Sequence, residues 1–522
     1  MTTARNPILS GFYPDPSVCR VGEDFYLVNS SFAYFPGVPV FHSKDLAHWE
    51  QIGNILEREE QLPLTSCEIS RGIFAPTIRY HEGTWYMITT NVDNGGNFIV
   101  TAKDPAGPWS DPYYLGDAAP GIDPSLFFDE DGKCYYVGTR PNPEGVQHNG
   151  DWEIWMQEVD LKEMKLCGES MAIWKGALKN AIWPEGPHLY KKDGWYYLMI
   201  AEGGTGPEHS ISVARSRSLW QWFEGCPRNP IFTHRNLGMD YPVIYAGHGD
   251  LVDDGQGNWY VIMLASRPCQ KHCSLGRETF LAKVTWEEDW PVINAGVGHL
   301  EKNVEVPLEE VHFPEEHSVQ DLFLFHEEKL DKRLVSVHTR NASQYSLEAR
   351  KGWLRLYTGK EMMAGNGAPS YVGARQKGYC FQVSTGMEFA PETLQEEAGL
   401  VLYQNRKNHL RFTVSKSENG RRLVKVTARI KEIDTILAQK ELEGTGLLEL
   451  RLKGRNQQAE LYIKEAGKSL EQIGETVSLI PYTTEEAGGF VGCTMGMYAS
   501  ANGADSDNYA DFSWFSCETL ER

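Results

Sequence analysis

Five stretches of the chain repeat one short pattern, and no other feature narrows the fold as much. Each is a glycine turn followed by aromatic, β-branched and other apolar residues: VGEDFYLVNS (21–30), EGTWYMITT (82–90), DGKCYYVGT (131–139), DGWYYLMIA (193–201) and QGNWYVIML (256–264). The glycine supplies the turn, and the run after it is too apolar for a half-exposed strand, so each stretch reads as a hairpin. With Tyr26, Tyr86, Tyr135, Tyr197 and Tyr260 as markers, the spacings are 60, 49, 62 and 63 residues. A period of that length holds several strands, as a propeller blade does, and five copies predict five blades.

In a propeller the innermost strand of each blade lines the central channel, so equivalent positions of different blades meet there. Counting back 11 or 12 residues from each marker gives Asp15, Ala75, Asp123, Glu185 and His248. Asp15 and Asp123 each begin an Asp-Pro-Ser, and turn chemistry accounts for the Pro and the Ser. It does not account for three acids at one repeat position, because carboxylates are seldom enclosed without a task. Three carboxylates around one cavity suit glycoside hydrolysis. One protonates the leaving oxygen, a second activates water or attacks the sugar, and a third raises the pKa of the proton donor by like-charge repulsion. The pattern leaves open which acid takes which role.

Composition agrees with a sugar-handling, turn-rich β protein. There are 50 glycines, 15 Trp, 24 Tyr and 21 Phe, and the formal charge of −21 disfavours nucleic acid or an anionic membrane as partner. A small neutral oligosaccharide is the expected partner, and a homo-oligomer is compatible with the sequence. The first residues, MTTARNPILSGFYPDPS, carry no apolar signal segment, so the chain reads as cytoplasmic with its ten cysteines reduced. Cys269, His272 and Cys273 lack a second ligand pair and read as loop or core residues.

The blade pattern stops near residue 303. An acidic, proline-containing connector (304–321) follows, and then strands whose apolar residues alternate: Leu410, Phe412 and Val414; Leu448, Leu450 and Leu452; Leu461 and Ile463. The expected fold is therefore all-β: a five-bladed propeller over 1–303, a linker over 304–321 and a β-sandwich over 322–522.

Five ordered blocks, NPILSGFYPDPSVCR, FPGVPVFHSKDLAHWEQIG, GIDPSLFFDEDG, WPEGPHLYKKDGWYYLMIAEGG and LGRETFLAKVTW, resemble glycoside hydrolase family 43. The resemblance is to its β-xylosidase/α-L-arabinofuranosidase branch, which carries a C-terminal concanavalin-like β-sandwich. It implies an inverting exo-hydrolase that releases terminal xylose or arabinose, with Asp15 as general base, Glu185 as general acid and Asp123 tuning that acid. It also implies that Arg277 contacts the sugar or the base. Phe32, Phe74 and Trp183 fall where the family places substrate contacts, although Trp is familiar at position 74 and Tyr at 183. No cofactor is required, and His248 matches a channel histidine that is either structural or close to a hydrated Ca2+ or Na+. The resemblance implies that the sandwich shapes one rim of the pocket. Two alternatives stand beside this reading: a retaining fructan- or sucrose-type hydrolase, and a non-catalytic sugar-binding propeller. The first uses Asn-Asp-Pro, Arg-Asp-Pro and Glu-Cys motifs, whereas here Tyr13-Pro14 precedes Asp15 and Pro184 and Gly186 flank Glu185.

Overall fold

A computed structural model describes residues 1–311 and 320–520. Five separate sheets follow one another along the chain, each an antiparallel meander of four strands, with one additional short strand in the fourth. Their innermost strands are Ser17–Val21, Thr77–His81, Ile122–Phe128, Glu185–Lys192 and Ile244–Asp253. Each packs against the innermost strand of the next sheet, and the fifth returns to the first, so the sheets close into a ring. The hairpins predicted from the repeat join the first and second strands of each blade. Their turn glycines, Gly22, Gly83, Gly132, Gly194 and Gly257, all have positive φ between 65° and 99°. That backbone conformation, rather than lack of space, selects glycine there.

Every blade is written contiguously, so the ring needs a separate fastener. Thr2–Arg5 pairs with Asn303–Val306, and Leu9 and Thr279 exchange backbone hydrogen bonds. The Asn6 side chain adds a bond to each backbone group of Leu281 at 2.8 Å. The first three residues of the expected connector thus belong to this fastener. Residues 312–319 of that connector lie outside the described residues.

The C-terminal part packs a six-stranded sheet on a nine-stranded one. Leu410, Phe412, Val414, Leu448, Leu450, Leu452, Leu461 and Ile463, the alternating residues, all point into the core between them. The other face of the six-stranded sheet meets the propeller. Tyr371, Val401, Tyr403 and Tyr498 join Phe12, Tyr34, Ile73 and Val100 of the first two blades in a single buried cluster. A short ladder, Tyr34–Phe35 with Ser336–Val337, crosses the same boundary. A shared apolar core of this kind fixes the two parts as one body.

Below the channel mouth the ring is closed by a buried ionic cluster. Asp250, on the fifth blade, accepts from Ser17 Oγ (2.9 Å), Tyr190 Oη (2.5 Å) and Arg79 Nη1 (3.0 Å). Arg79 also reaches His188 Nδ1 at 3.1 Å, so four blades are tied at one point. Ser17, the serine of the first Asp-Pro-Ser, therefore acts across blades and not as a local turn cap. Burial would raise the Asp250 pKa, but Arg79, His188 and Tyr190 bring it down to about 2.

Candidate active site

The three acids stand at or just before the starts of innermost strands, set there by two backbone devices. Asp15 and Asp123 both have φ of 52°, and His248 has 42°, in the left-handed region where Asp is tolerated better than most residues. Ladder irregularities lie between Ile122 and Ser125, Glu185 and His188, and Gly247 and Gly249. A bulge re-aims a side chain at the end of a strand, and here it turns Asp123, Glu185 and His248 to the channel mouth, while Asp15 precedes a strand of regular register. Ala75, the fifth equivalent position, is buried and brings no polar group.

Asp15 is held through both oxygens. Arg277 Nη1 donates to Oδ1 at 2.9 Å and Ser30 Oγ to Oδ2 at 2.6 Å, while His248 Nδ1 lies 3.9 Å from Oδ1. Burial opposes its ionisation, but Arg277, His248 and the Ser30 hydroxyl outweigh it and keep the carboxyl below its ordinary pKa. Asp123 has the opposite balance. Burial, then the charge of Asp15, push it up to about 7, against a 3.2 Å bond from the Gly186 N–H and the field of Arg277. Glu185 is raised well above the carboxylate range, first by burial, then by Asp123 and Asp15, with Arg277 opposing. Its carboxyl makes no hydrogen bond to another described residue and is left to the cavity. One ionised carboxylate therefore faces a pair that between them hold on to a proton.

The histidines fill space beside the acids. A Cβ on Gly186 would meet the His248 ring at 2.8–3.0 Å, so glycine lets the imidazole lie against the backbone of the Glu185 segment. Gly247 leaves room in the same way for His209, whose Nδ1 donates to the Tyr245 carbonyl at 2.9 Å. Burial lowers the His209 pKa to about 3, so the ring is neutral with its proton on Nδ1. Among the described residues no three His, Cys, Asp or Glu side chains form a metal-ligand group. His248 offers a single imidazole facing a carboxylate already held by Arg277. A hydrated ion beside it would take most of its oxygens from water, and no step below runs through a metal.

Aromatic rings wall the cavity. Phe32 and Phe74 meet edge to face at 5.7 Å, with Phe32 buried and Phe74 half-buried. Phe490, from the sandwich, completes the group, stacked on Phe32 at 6.3 Å and edge-on to Phe74 at 6.1 Å. The Arg277 guanidinium lies 5.8 Å from the Phe32 ring and 5.6 Å from that of Phe490. The Phe490 loop is tied to the propeller by its N–H to Ser70 Oγ at 2.9 Å, and Cys493 N donates to Ser274 O at 2.7 Å beside the Arg277 turn. Trp183, two residues before Glu185, is half-buried and pairs with Trp152 at 5.3 Å.

Sequence reasoning missed Ser30, Phe490, Trp152 and Thr205, the last accepting from Arg277 Nη1 at 3.1 Å. Ser30 had a signal: four residues after the marker tyrosines stand Ser30, Thr90, Thr139, Ala201 and Leu264, a second phase of the same repeat. Phe490 had none, because it reaches the pocket from a separate domain.

Comparison with known proteins agrees with this geometry. The model of the family described as Glycosyl hydrolases family 43 matches residues 4–291, and that of the Beta xylosidase C-terminal Concanavalin A-like domain matches 324–518. A xylosidase/arabinosidase of Butyrivibrio fibrisolvens is 62% identical, with 100% of both chains covered. A non-reducing end α-L-arabinofuranosidase of Bacteroides ovatus is 40% identical over 99% of this chain and 95% of that one. The solved structure of a xylan β-1,4-xylosidase from Bacillus halodurans C-125 superposes with a TM-score of 0.93 at 35% identity, covering 99% and 100% of the two chains. Neither the fructan-type alternative nor a non-catalytic propeller is favoured by these matches. With its acids, its ring of blades and its sandwich all accounted for, the chain belongs to glycoside hydrolase family 43 and is a glycoside hydrolase.

Proposed function

We propose that the enzyme removes single pentose units, β-linked xylose or α-L-arabinofuranose, from the non-reducing ends of short oligosaccharides with inversion of configuration. The observation that carries this reading is the division of protons among the three acids. Asp15 is ionised and oriented by Arg277 and Ser30, so it can take a proton from water as that water attacks the anomeric carbon. Burial, Asp123 and Asp15 raise the pKa of Glu185 well above the carboxylate range, which favours its protonated form and lets it deliver a proton to the departing glycosidic oxygen. Asp123, bonded to the Gly186 N–H, sets both the proton affinity and the placement of that acid. The Phe32–Phe74–Phe490 wall and the ionic cluster beneath the channel support a pocket for one terminal ring. The names of the relatives support both pentoses, which present similar hydroxyls to one pocket.

The test is NMR of the first-formed product anomer, using paired nitrophenyl β-xyloside and α-L-arabinofuranoside. Inversion is expected on both substrates. Retention would remove Asp15 from the role of base. In the same assays Asp15→Asn and Glu185→Gln should each lose at least about 100-fold in turnover. Wild-type turnover in either variant would end the assignment.

A further inference from the structure

We infer that the outer rim of the propeller, between the third and fourth blades, carries a second sugar-binding site that holds the distal part of an oligosaccharide whose end is in the active site. This rests on the proposed function above. A concavity of about 490 Å³ there is lined by Trp174, Ala177, Trp222, Glu224, Gly225 and Asn229. Trp222 is 53% exposed, while its neighbour Phe223 is 1% exposed, so the chain buries one ring and presents the next to solvent. Among the described residues Trp222 has no aromatic partner. By contrast Trp220, two residues earlier, is anchored edge-on against Tyr135 at 6.1 Å. The floor is the edge of Trp174, left open because residue 225 is glycine; a Cβ there would lie 3.2 Å from the indole.

The ligand class follows from what lines the site. A flat indole face suits the C–H face of a sugar ring, and the uncharged ring needs no cation. Glu224 supplies an exposed carboxylate without an ion pair among the described residues, a ready acceptor for hydroxyl groups. The same carboxylate, on a chain of net charge −21, disfavours an anionic occupant.

The site is also joined to the catalytic residues by a short stretch of chain. Ala177, on its wall, donates its N–H to Glu202 Oε1 at 2.5 Å, and the connector from there runs six residues to Trp183, beside Glu185. Six residues reach at most about 20 Å. Leu178 and Ile182 on this connector are 61% and 36% exposed, with exposed Lys179 and Asn180 between them, so the surface from Ala177 to the Trp152–Trp183 pair offers both apolar contacts and hydrogen-bonding groups. Because Glu185 protonates the leaving oxygen, this is the side on which the rest of the substrate lies.

The experiment compares wild type, Trp222→Ala and Trp222→Tyr on nitrophenyl xyloside and on linear xylo-oligosaccharides of two and six units. The expected result is unchanged kcat/KM for the nitrophenyl substrate and the disaccharide in all three proteins. On the hexasaccharide Trp222→Ala should fall about fivefold, and Trp222→Tyr should keep most of the wild-type value. Equal hexasaccharide values for wild type and Trp222→Ala overturn the inference, as does an equal loss on all substrates. A wild-type enzyme inactive on every pentoside would instead overturn the proposed function, so the two failures are distinguishable.

Discussion

Arg277 Nη1 donates to Asp15 Oδ1 at 2.9 Å although the residues stand 262 positions apart, one entering the first blade and the other in the last. Neutralising the arginine with Arg277→Met should raise the pKa of Asp15, so the acidic limb of the pH–rate profile moves to higher pH. Arg277 also lowers the pKa of Glu185, and its loss moves the basic limb the same way. The whole bell is expected to shift to higher pH with a drop of about 100-fold in kcat/KM. A drop in rate with both limbs in place would make the arginine a sugar contact only.

Asp123→Asn removes a charge that raises the pKa of Glu185. The acid then loses its proton at lower pH, and the basic limb moves down while the acidic limb, set by Asp15, moves little. The check is kcat/KM against pH with substrates of good and poor leaving groups. Poor leaving groups should suffer more, since they need the proton more. A basic limb that stays in place would show that Asp123 only positions its neighbours.

Phe490→Ala tests whether the sandwich shapes binding. Phe490 is 38% exposed and lies outside the sandwich core, so the melting temperature should hold. KM for nitrophenyl pentosides should rise about three- to tenfold with a smaller effect on kcat, as expected for one aromatic contact. An unchanged KM would leave the ring as a plug between domains.

Asp250→Asn tests the ionic cluster. It leaves the Arg79 charge buried without its partner and should cost about 3–5 kcal/mol, read as a lowered denaturation midpoint. Because the carboxyl has a folded pKa of about 2, below the ordinary value of about 3.9, its contribution is complete above the unfolded pKa. It is lost as the pH falls towards 2. Wild-type stability in the variant would show that desolvation cancels the pair.

The repeat was legible because β-hairpins in register leave a periodic signature, and phase alone picked out Asp15, Asp123, Glu185 and His248. The sandwich strands were legible for the same reason, through Leu410–Phe412–Val414 and its companions. Burial partners were not legible. Ser17 reads as a turn serine until Asp250 is brought beside it, and nothing in the sequence marks Arg79 as the buried partner of that carboxylate. Phe490 follows two glycines in a loop, and nothing local to that loop says that it meets Phe32.

The fastener that closes the ring has a consequence for the order of events during synthesis. Asp15 leaves the ribosome first, but the groups that hold it, His248 and Arg277, come more than two hundred residues later, and Asn303–Val306 after them. A nascent chain with four blades carries all three acids and lacks the arginine that holds Asp15 in place. The assembled arrangement of acids and arginine is therefore completed only late, and fragments released early hold the acids without it.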